Sequence, residues 1–231
     1  MASSATRRDL EALSLVSLVC GRVAHDLNNL LAAVDGYAEF VAQAVTDRPQ
    51  VLADINEVRS AATRGAAFSR RLRQVAQLVE GTPERLDLSQ LAREAEEQVR
   101  LITGRDVQVV FTLGDKLPPV EADAHQLQQA LLALVENACE AMPAGGDLRL
   151  ETFEQGNEVA LRVTDQGCGM SSEVLAQVCD PFFSTKPKAI GNGLGMFIVA
   201  GVVDRAGGRV DVQSEAGAGT VVTLLLPATS G

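Results

Sequence analysis

Between Leu10 and Ala44 apolar residues return at alternating steps of four and three: Val16, Cys20, Val23, Leu27, Leu30, Val34, Tyr37 and Val41. This heptad spacing predicts a long helix packed along one seam. Thr46-Asp-Arg-Pro-Gln50 interrupts it, and a second helical pattern follows through Val51, Ile55, Val58 and Ala62, resuming at Phe68, Leu72, Val75 and Val79. The two segments predict an antiparallel hairpin over residues 1–81. A lone hairpin buries little apolar surface, because each helix needs neighbours on both flanks of its stripe. The expected solution is a homodimer in which two hairpins form a four-helix bundle.

Gly81-Thr-Pro83 punctuates the second helix, and beyond it the pattern changes to helices alternating with period-two segments. A second domain is expected over residues 82–231. Helices are predicted near 89–101, 124–142 and 195–206, and strands near 107–113, 147–153, 159–164, 209–214 and 220–226. The overall class is therefore α+β, with the second domain a two-layer sandwich of helices on one face of a mixed, largely antiparallel sheet. About thirty residues rich in Gly, Pro and small polar side chains separate Asp165 from Gly195. That is longer than a structural connection requires, and it predicts a functional lid over about 166–194.

Charge narrows the function classes. The 231 residues carry a net charge of −10, with nine basic and nine acidic residues in 1–81 and eleven basic against twenty-one acidic in 82–231. Generic adhesion to nucleic acid or an anionic membrane is disfavoured, and any anionic ligand must be held locally. With no Trp and a single Tyr, the chain also lacks stacking platforms for single-stranded nucleic acid. Four cysteines (Cys20, Cys139, Cys168, Cys179) have neither metal-site spacing nor the density of a disulfide scaffold, so reduced thiols in a cytoplasmic protein are expected. No apolar run approaches the roughly 20 residues of a membrane helix, and the first residues lack a signal-peptide layout. The expectation is a soluble chain without membrane insertion.

On the heptad frame His25 falls opposite the seam, with Asn29 one turn on and Asp26 beside it. Alone, such a patch reads as a solvated helix face. Chemically, though, a neutral imidazole nitrogen can attack a phosphoryl group, a carboxylate can orient the ring, and a side-chain amide can position water. Four segments downstream suit a nucleotide. Asn137 and Glu136 sit amid apolar residues of a predicted helix, where an amide needs a partner or a ligand. Asp165-Gln-Gly-Cys-Gly169 ends a strand in an acceptor for an exocyclic amine, followed by Gly167 and Gly169 for close backbone approach. Asp180-Pro-Phe-Phe-Ser-Thr-Lys186 provides an apolar anchor, hydroxyls and a cation. Gly191-Asn-Gly-Leu-Gly195 opens a helix whose N–H groups can hold an anion. The spacing matches neither a P-loop nor a dinucleotide fingerprint, and Gly217-Ala-Gly-Thr220 reads as a hairpin turn.

Taken in order, Gly21-Arg-Val-Ala-His-Asp-Leu-Asn-Asn, the Asn137 helix, Asp165-Gln-Gly-Cys-Gly, Pro181-Phe-Phe-Ser-Thr-Lys, Gly193-Leu-Gly and Gly217-Ala-Gly-Thr resemble the boxes of a two-component sensor histidine kinase, along nearly the whole chain. The resemblance implies a dimerisation and phosphotransfer hairpin followed by a Bergerat-type ATP-binding domain, of the kind shared with gyrase-like and chaperone ATPases. By position it makes His25 the phosphorylated residue, Asp26 its acid/base partner and Asn29 the residue for dephosphorylating a response regulator. It assigns Asn137 to Mg²⁺ and Asp165 to the adenine amine of ATP. Gly167, Gly169, Gly193 and Gly195 shape the lid, with Lys186 and Thr220 as further nucleotide contacts. The implied partners are a receiver domain and, since no sensor accompanies the motifs, a separate sensor protein or a longer chain. Two positions depart from the pattern. Ala133 replaces an Asn common one turn before the metal-binding one, and Cys139 replaces a basic residue, so slow autophosphorylation is expected. The competing readings are a phosphotransfer or scaffold protein inert toward ATP, and an ATPase of the same fold that does not phosphorylate itself.

Overall fold

The computed structural model describes residues 7–77, 81–185 and 193–229, with side chains described from residue 21 to 69 in the N-terminal part. The described residues divide into two compact units, one preceding Gly81 and the other comprising Gly81–Thr185 with the segment from Gly193 onward.

The first unit is a hairpin of α1 (Arg7–Ala44) and α2 (Pro49–Gln77). Proline at the first position of α2 suits a helix start, where its missing N–H costs nothing. Four contacts fix the antiparallel register. Arg59 donates from Nε to Asp35 (3.0 Å) and from Nη2 to Glu39 (3.4 Å), the Leu31 side chain lies over Gly65, and the buried Ser69 hydroxyl donates to the carbonyl of Ala24. The surface the helices bury against each other is built on small residues, with Ala24 and Ala62 nearly inaccessible. The predicted seam is therefore not the one the hairpin closes. Val23, Leu30, Val34, Tyr37 and Val41 are all exposed, Leu30 by 66% and Tyr37 by 74%, while Leu27 is half-buried. Small side chains let the two backbones approach, and the larger apolar residues are left on the outside. Side chains of Val16, Cys20, Leu72, Val75 and Val79 lie outside the described residues.

The second unit runs β1 (Glu84–Leu86), α3 (Leu88–Glu94), α4 (Glu96–Thr103), β2 (Val107–Leu113), β3 (Val120–Ala122), α5 (Ala124–Ala141), β4 (Gly146–Gln155), β5 (Glu158–Asp165), α6 (Ser172–Leu175), α7 (Gly195–Arg205), β6 (Arg209–Glu215) and β7 (Gly219–Pro227). β2-β4-β5-β7-β6 form one sheet, parallel between β2 and β4 and antiparallel elsewhere, and β1 pairs antiparallel with β3 in a small second sheet. This is the α+β class and mixed sheet expected. Along β5, Val159, Leu161 and Val163 are buried together with Leu148 and Leu150 of β4 and Leu224 and Leu226 of β7. Leu127, Leu131, Leu134, Ile198 and Val202 of α5 and α7 supply the other side of that core. The single helix expected over 89–101 is two, because the chain turns at the fully buried Ala95 between α3 and α4. Asp87 and Asp123 cap α3 and α5 by accepting backbone N–H groups, which starts each helix at a defined residue.

Candidate functional site

The hairpin carries an exposed imidazole. His25 is exposed on α1, and both of its described partners sit at Nδ1: Asp26 Oδ1 and Asn29 Nδ2, each at 3.3 Å. Helical spacing produces this, since residue 29 lies one turn above 25 on the same face. The two partners favour opposite tautomers. A carboxylate needs Nδ1–H, which leaves the lone pair on Nε2 free to attack, whereas an amide N–H needs Nδ1 as acceptor and moves the proton to Nε2. One ring nitrogen is thus the point where nucleophilicity is set.

The α/β unit contributes a set of polar groups at the ends of β5 and α5. Asp165 is the last residue of β5, opposite Thr220 of β7 and Leu148 of β4, and is almost completely buried. Burial pushes its carboxyl above the ordinary range, and hydrogen bonds from the backbone N–H groups of Gly167 (2.7 Å) and Thr220 pull the other way. An acceptor held this way is preformed for a ligand donor. Gly167 is required because a Cβ there lies 2.6 Å from the Cβ of Ala141, so the strand-end loop can lie flat on the end of α5. The next turn has positive φ at Gly169, where a side chain runs into the carbonyl of Glu215. Cys168, between them, is held by its backbone on both sides, donating to Ala141 (3.1 Å) and accepting from Gly217 (2.7 Å). The segment 217–220 is therefore more than the hairpin turn expected: it is the wall on which the loop rests.

Asn137 and Gly195 are brought together, as a Cβ on Gly195 would stand 3.5 Å from the Asn137 amide. α7 begins there without a side-chain cap, so its first N–H groups are offered to a ligand at that end. A half-buried amide oxygen beside an uncapped helix start fits a Mg²⁺ ion that arrives on nucleotide phosphates, since Mg²⁺ commonly takes few protein ligands and keeps phosphates and waters. Among the described residues no cluster of three or more His, Cys, Asp or Glu is placed to hold a metal by itself. Gly193 adopts positive φ, and its carbonyl accepts the N–H of Phe182 (3.0 Å). Of the two phenylalanines in this segment, Phe182 has positive φ and a ring 67% exposed, while Phe183 is half-buried. Lys186 lies outside the described residues.

Two contributors escaped the sequence reading. The Ser214 hydroxyl accepts the N–H of Met170 (2.9 Å), donates to Gly219 O (2.8 Å) and contacts Thr220 Oγ1 (3.0 Å). Its signal was a polar residue at an inward position of the alternating β6. Ala141 acts through its carbonyl, for which residue type gives no sign. Cys139 and Cys179 are half-buried thiols whose pKa values are raised by burial, helped by Glu140 and Glu136 for the first and Asp180 for the second.

Residues 122–230 match the family model of histidine kinase-, DNA gyrase B- and HSP90-like ATPases. The sensor kinase CckA of Brucella abortus is 29% identical over 232 residues, covering 94% of this chain and 25% of that protein. The sensor histidine kinase ZraS of Escherichia coli K12 is 30% identical over 226 residues, covering 96% and 47%. The chain thus spans between a quarter and a half of the length of these relatives. Full-length ShkA, solved in complex with AMPPNP, superposes with a TM-score of 0.70 over 92% of this chain and 46% of its own, at 22% identity, a likeness of fold. Residues 122–230 thus match the ATPase domain that histidine kinases share with DNA gyrase B and HSP90, and the chain is similar over 94–96% of its length to sensor kinases.

Proposed function

We propose that the chain is an ATP-dependent histidine kinase that phosphorylates His25 and passes the phosphoryl group to an aspartate of a response-regulator receiver domain. Residues 1–81 serve as the dimerisation and phosphotransfer hairpin and 82–231 as the catalytic domain. The observation that carries this reading is the exposed His25, whose partners among the described residues, Asp26 and Asn29, both meet Nδ1, in a chain whose residues 122–230 match histidine kinase-, DNA gyrase B- and HSP90-like ATPases.

In the proposed reaction the Nε2 lone pair forms the P–N bond to the γ-phosphorus, the bond to the bridging oxygen breaks, and ADP leaves. The Nδ1 proton is stabilised by, and passes toward, the Asp26 carboxylate. Asp165 accepts the exocyclic amine of adenine, and Thr220 and Gly167 keep its carboxylate oriented. The Asn137 amide oxygen would hold Mg²⁺, and the first N–H groups of α7 donate to the phosphates. Mg²⁺, when bound, neutralises charge on the phosphates. Gly167, Gly169, Gly193 and Gly195 let the 166–194 lid approach the nucleotide, with Lys186 as a phosphate contact. Asn29 orients a water for dephosphorylating the regulator. The exposed stripe of Val23, Leu30, Val34, Tyr37 and Val41 supports a homodimer, because a second hairpin is the partner that its heptad spacing fits. No helix of the described residues is long and apolar enough to cross a membrane, and a cytoplasmic site of action accords with a receiver-domain partner.

The test is incubation with Mg²⁺ and γ-labelled ATP beside His25→Ala and Asn137→Ala variants. The expected result is an acid-labile, alkali-stable label on wild type that is absent from both variants. A wild type that binds ATP yet never becomes labelled overturns the reading.

A further inference from the structure

The segment through which the chain enters the α/β unit, Gly81-Thr82-Pro83, is gripped by two side chains that the nucleotide site does not use. The backbone N–H of Thr82 donates to Asp123 Oδ2 at 2.8 Å. The other oxygen of the same carboxylate caps α5, accepting the N–H of Gln126 at 2.8 Å. Arg205, the last residue of α7, donates from Nη2 to the carbonyl of Gly81 at 3.5 Å. Gly81 lies flat enough on α5 that a Cβ would collide with the Gln126 amide. Immediately after this grip the chain enters β1 and pairs with β3, which leads directly into Asp123.

The two gripping residues stand at the ends of the helices whose opposite ends build the nucleotide site. α5 runs from its cap at Asp123 past Asn137, a rise of about 21 Å, and α7 runs from Gly195 beside that amide to Arg205. The helices share one core, with Leu127, Leu131 and Leu134 on α5 and Ile198 and Val202 on α7 buried. Such an arm is stiff, and orientation imposed at one end is kept at the other.

We propose that Asp123 and Arg205 form a latch on the 81–83 segment and are positioning residues for phosphoryl transfer to His25. The inference rests on the kinase reading above. In-line transfer needs the γ-phosphate aimed at Nε2, and freedom at the arm's attachment is amplified at its tip. A released latch spreads the arm over more orientations and lowers the fraction able to react, while the nucleotide pocket is untouched. The signature is therefore a loss in transfer rate without a loss in nucleotide affinity.

Asp123→Asn isolates the effect, because Asn still caps a helix well but can present an amide N–H where Thr82 N–H needs an acceptor. Arg205→Ala removes the second grip, and Arg205→Lys restores a donor. In the full chain, the first-order rate of His25 labelling at saturating Mg-ATP is measured beside the affinity for a fluorescent ATP analogue and the hydrogen exchange of the Thr82 amide. The expected result for Asp123→Asn and Arg205→Ala is a roughly tenfold slower labelling, affinity within about twofold of wild type, faster exchange at Thr82 in Asp123→Asn, and recovery of much of the rate in Arg205→Lys. Labelling at the wild-type rate while Thr82 exchanges faster overturns the latch and leaves the kinase reading intact. So does a rate that falls only in step with affinity. A wild type that is never labelled removes the kinase reading and the latch with it.

Discussion

The hairpin and the α/β unit solve the problem of burial in opposite ways. Among the described residues the hairpin exposes Val23, Leu30, Val34, Tyr37, Phe40, Val41, Val51, Val58 and Phe68, whereas the α/β unit exposes only Leu101, Val110 and Phe182 among its large apolar side chains. Leucines of β4, β5, β7 and α5 are fully enclosed there by the unit's own layers. The α/β unit is therefore organised to fold from its own sequence, while the hairpin leaves an apolar stripe that the proposed second copy would cover. Their chemistry divides the same way. His25 stands on an open surface where another molecule can reach it, and Asp165 is nearly buried at the end of a strand.

The strongest way to break this contrast is a charge on the open stripe. Leu30→Glu paired with Val34→Glu would place like charges in the proposed dimer seam, a cost of several kcal/mol per dimer. Sedimentation should then report a monomer, helical signal from the hairpin should fall, and unfolding of the α/β unit should stay unchanged. A variant that remains dimeric refutes the seam. In the α/β unit the largest effect is expected from Gly169→Ala, since the residue takes on positive φ and a clash with the Glu215 carbonyl. A loss of about 2–4 kcal/mol in urea unfolding is expected, with the hairpin's oligomeric state retained.

Asp165→Asn sharpens the comparison, because affinity and stability should move in opposite directions. The pKa of Asp165 is raised in the folded chain, so its contribution to stability is full below the ordinary carboxylate range and is lost as pH rises through the raised value. The Asn variant should be more stable than wild type at neutral pH, with the difference vanishing on acidification. It should also bind ATP roughly tenfold more weakly, by the loss of a charge-assisted acceptor. Unfolding at several pH values and a nucleotide titration check both signs. The smallest effect is expected from Asn29→Ala, which leaves Asp26 as the described partner of Nδ1 and favours the nucleophilic tautomer. Labelling of His25 should rise about two- to threefold, as suits an exposed hydrogen bond, and Asp26→Asn should lower it. The imidazole ¹⁵N shifts report the tautomer directly, and an unchanged ratio in both variants would dismiss the competition at Nδ1.

Periodicity located β2, β4 and β6 within a few residues because a half-buried strand must alternate, whereas β5 and β7, buried in runs at Val159–Leu161 and Val222–Leu226, were found as short apolar segments. It missed β1 and β3, three residues each, which are too short to show a period. The break at Ala95 was invisible for another reason: alanine favours helix, and its backbone there keeps a right-handed helical φ and ψ. In the hairpin the heptad pattern revealed an apolar stripe but not which stripe faces the hairpin's own second helix. Ala24 and Ala62 took that place through size, a property on which hydropathy is silent. At the site, glycines were legible because backbone approach demands them at fixed spacing. Ser214 and Ala141 were not, because they act through where the sheet and helix put them.

The bond from Ser69 to the carbonyl of Ala24 reaches the backbone next to His25 from the opposite helix. In engineering terms it makes the two helices a matched pair. A chimera that grafts the His25 turn onto a foreign second helix inherits the imidazole but loses the hydroxyl that holds that turn at its height. Exchange of specificity between such hairpins is thus expected to succeed when residues 24 and 69 travel together, and to stall when they are separated.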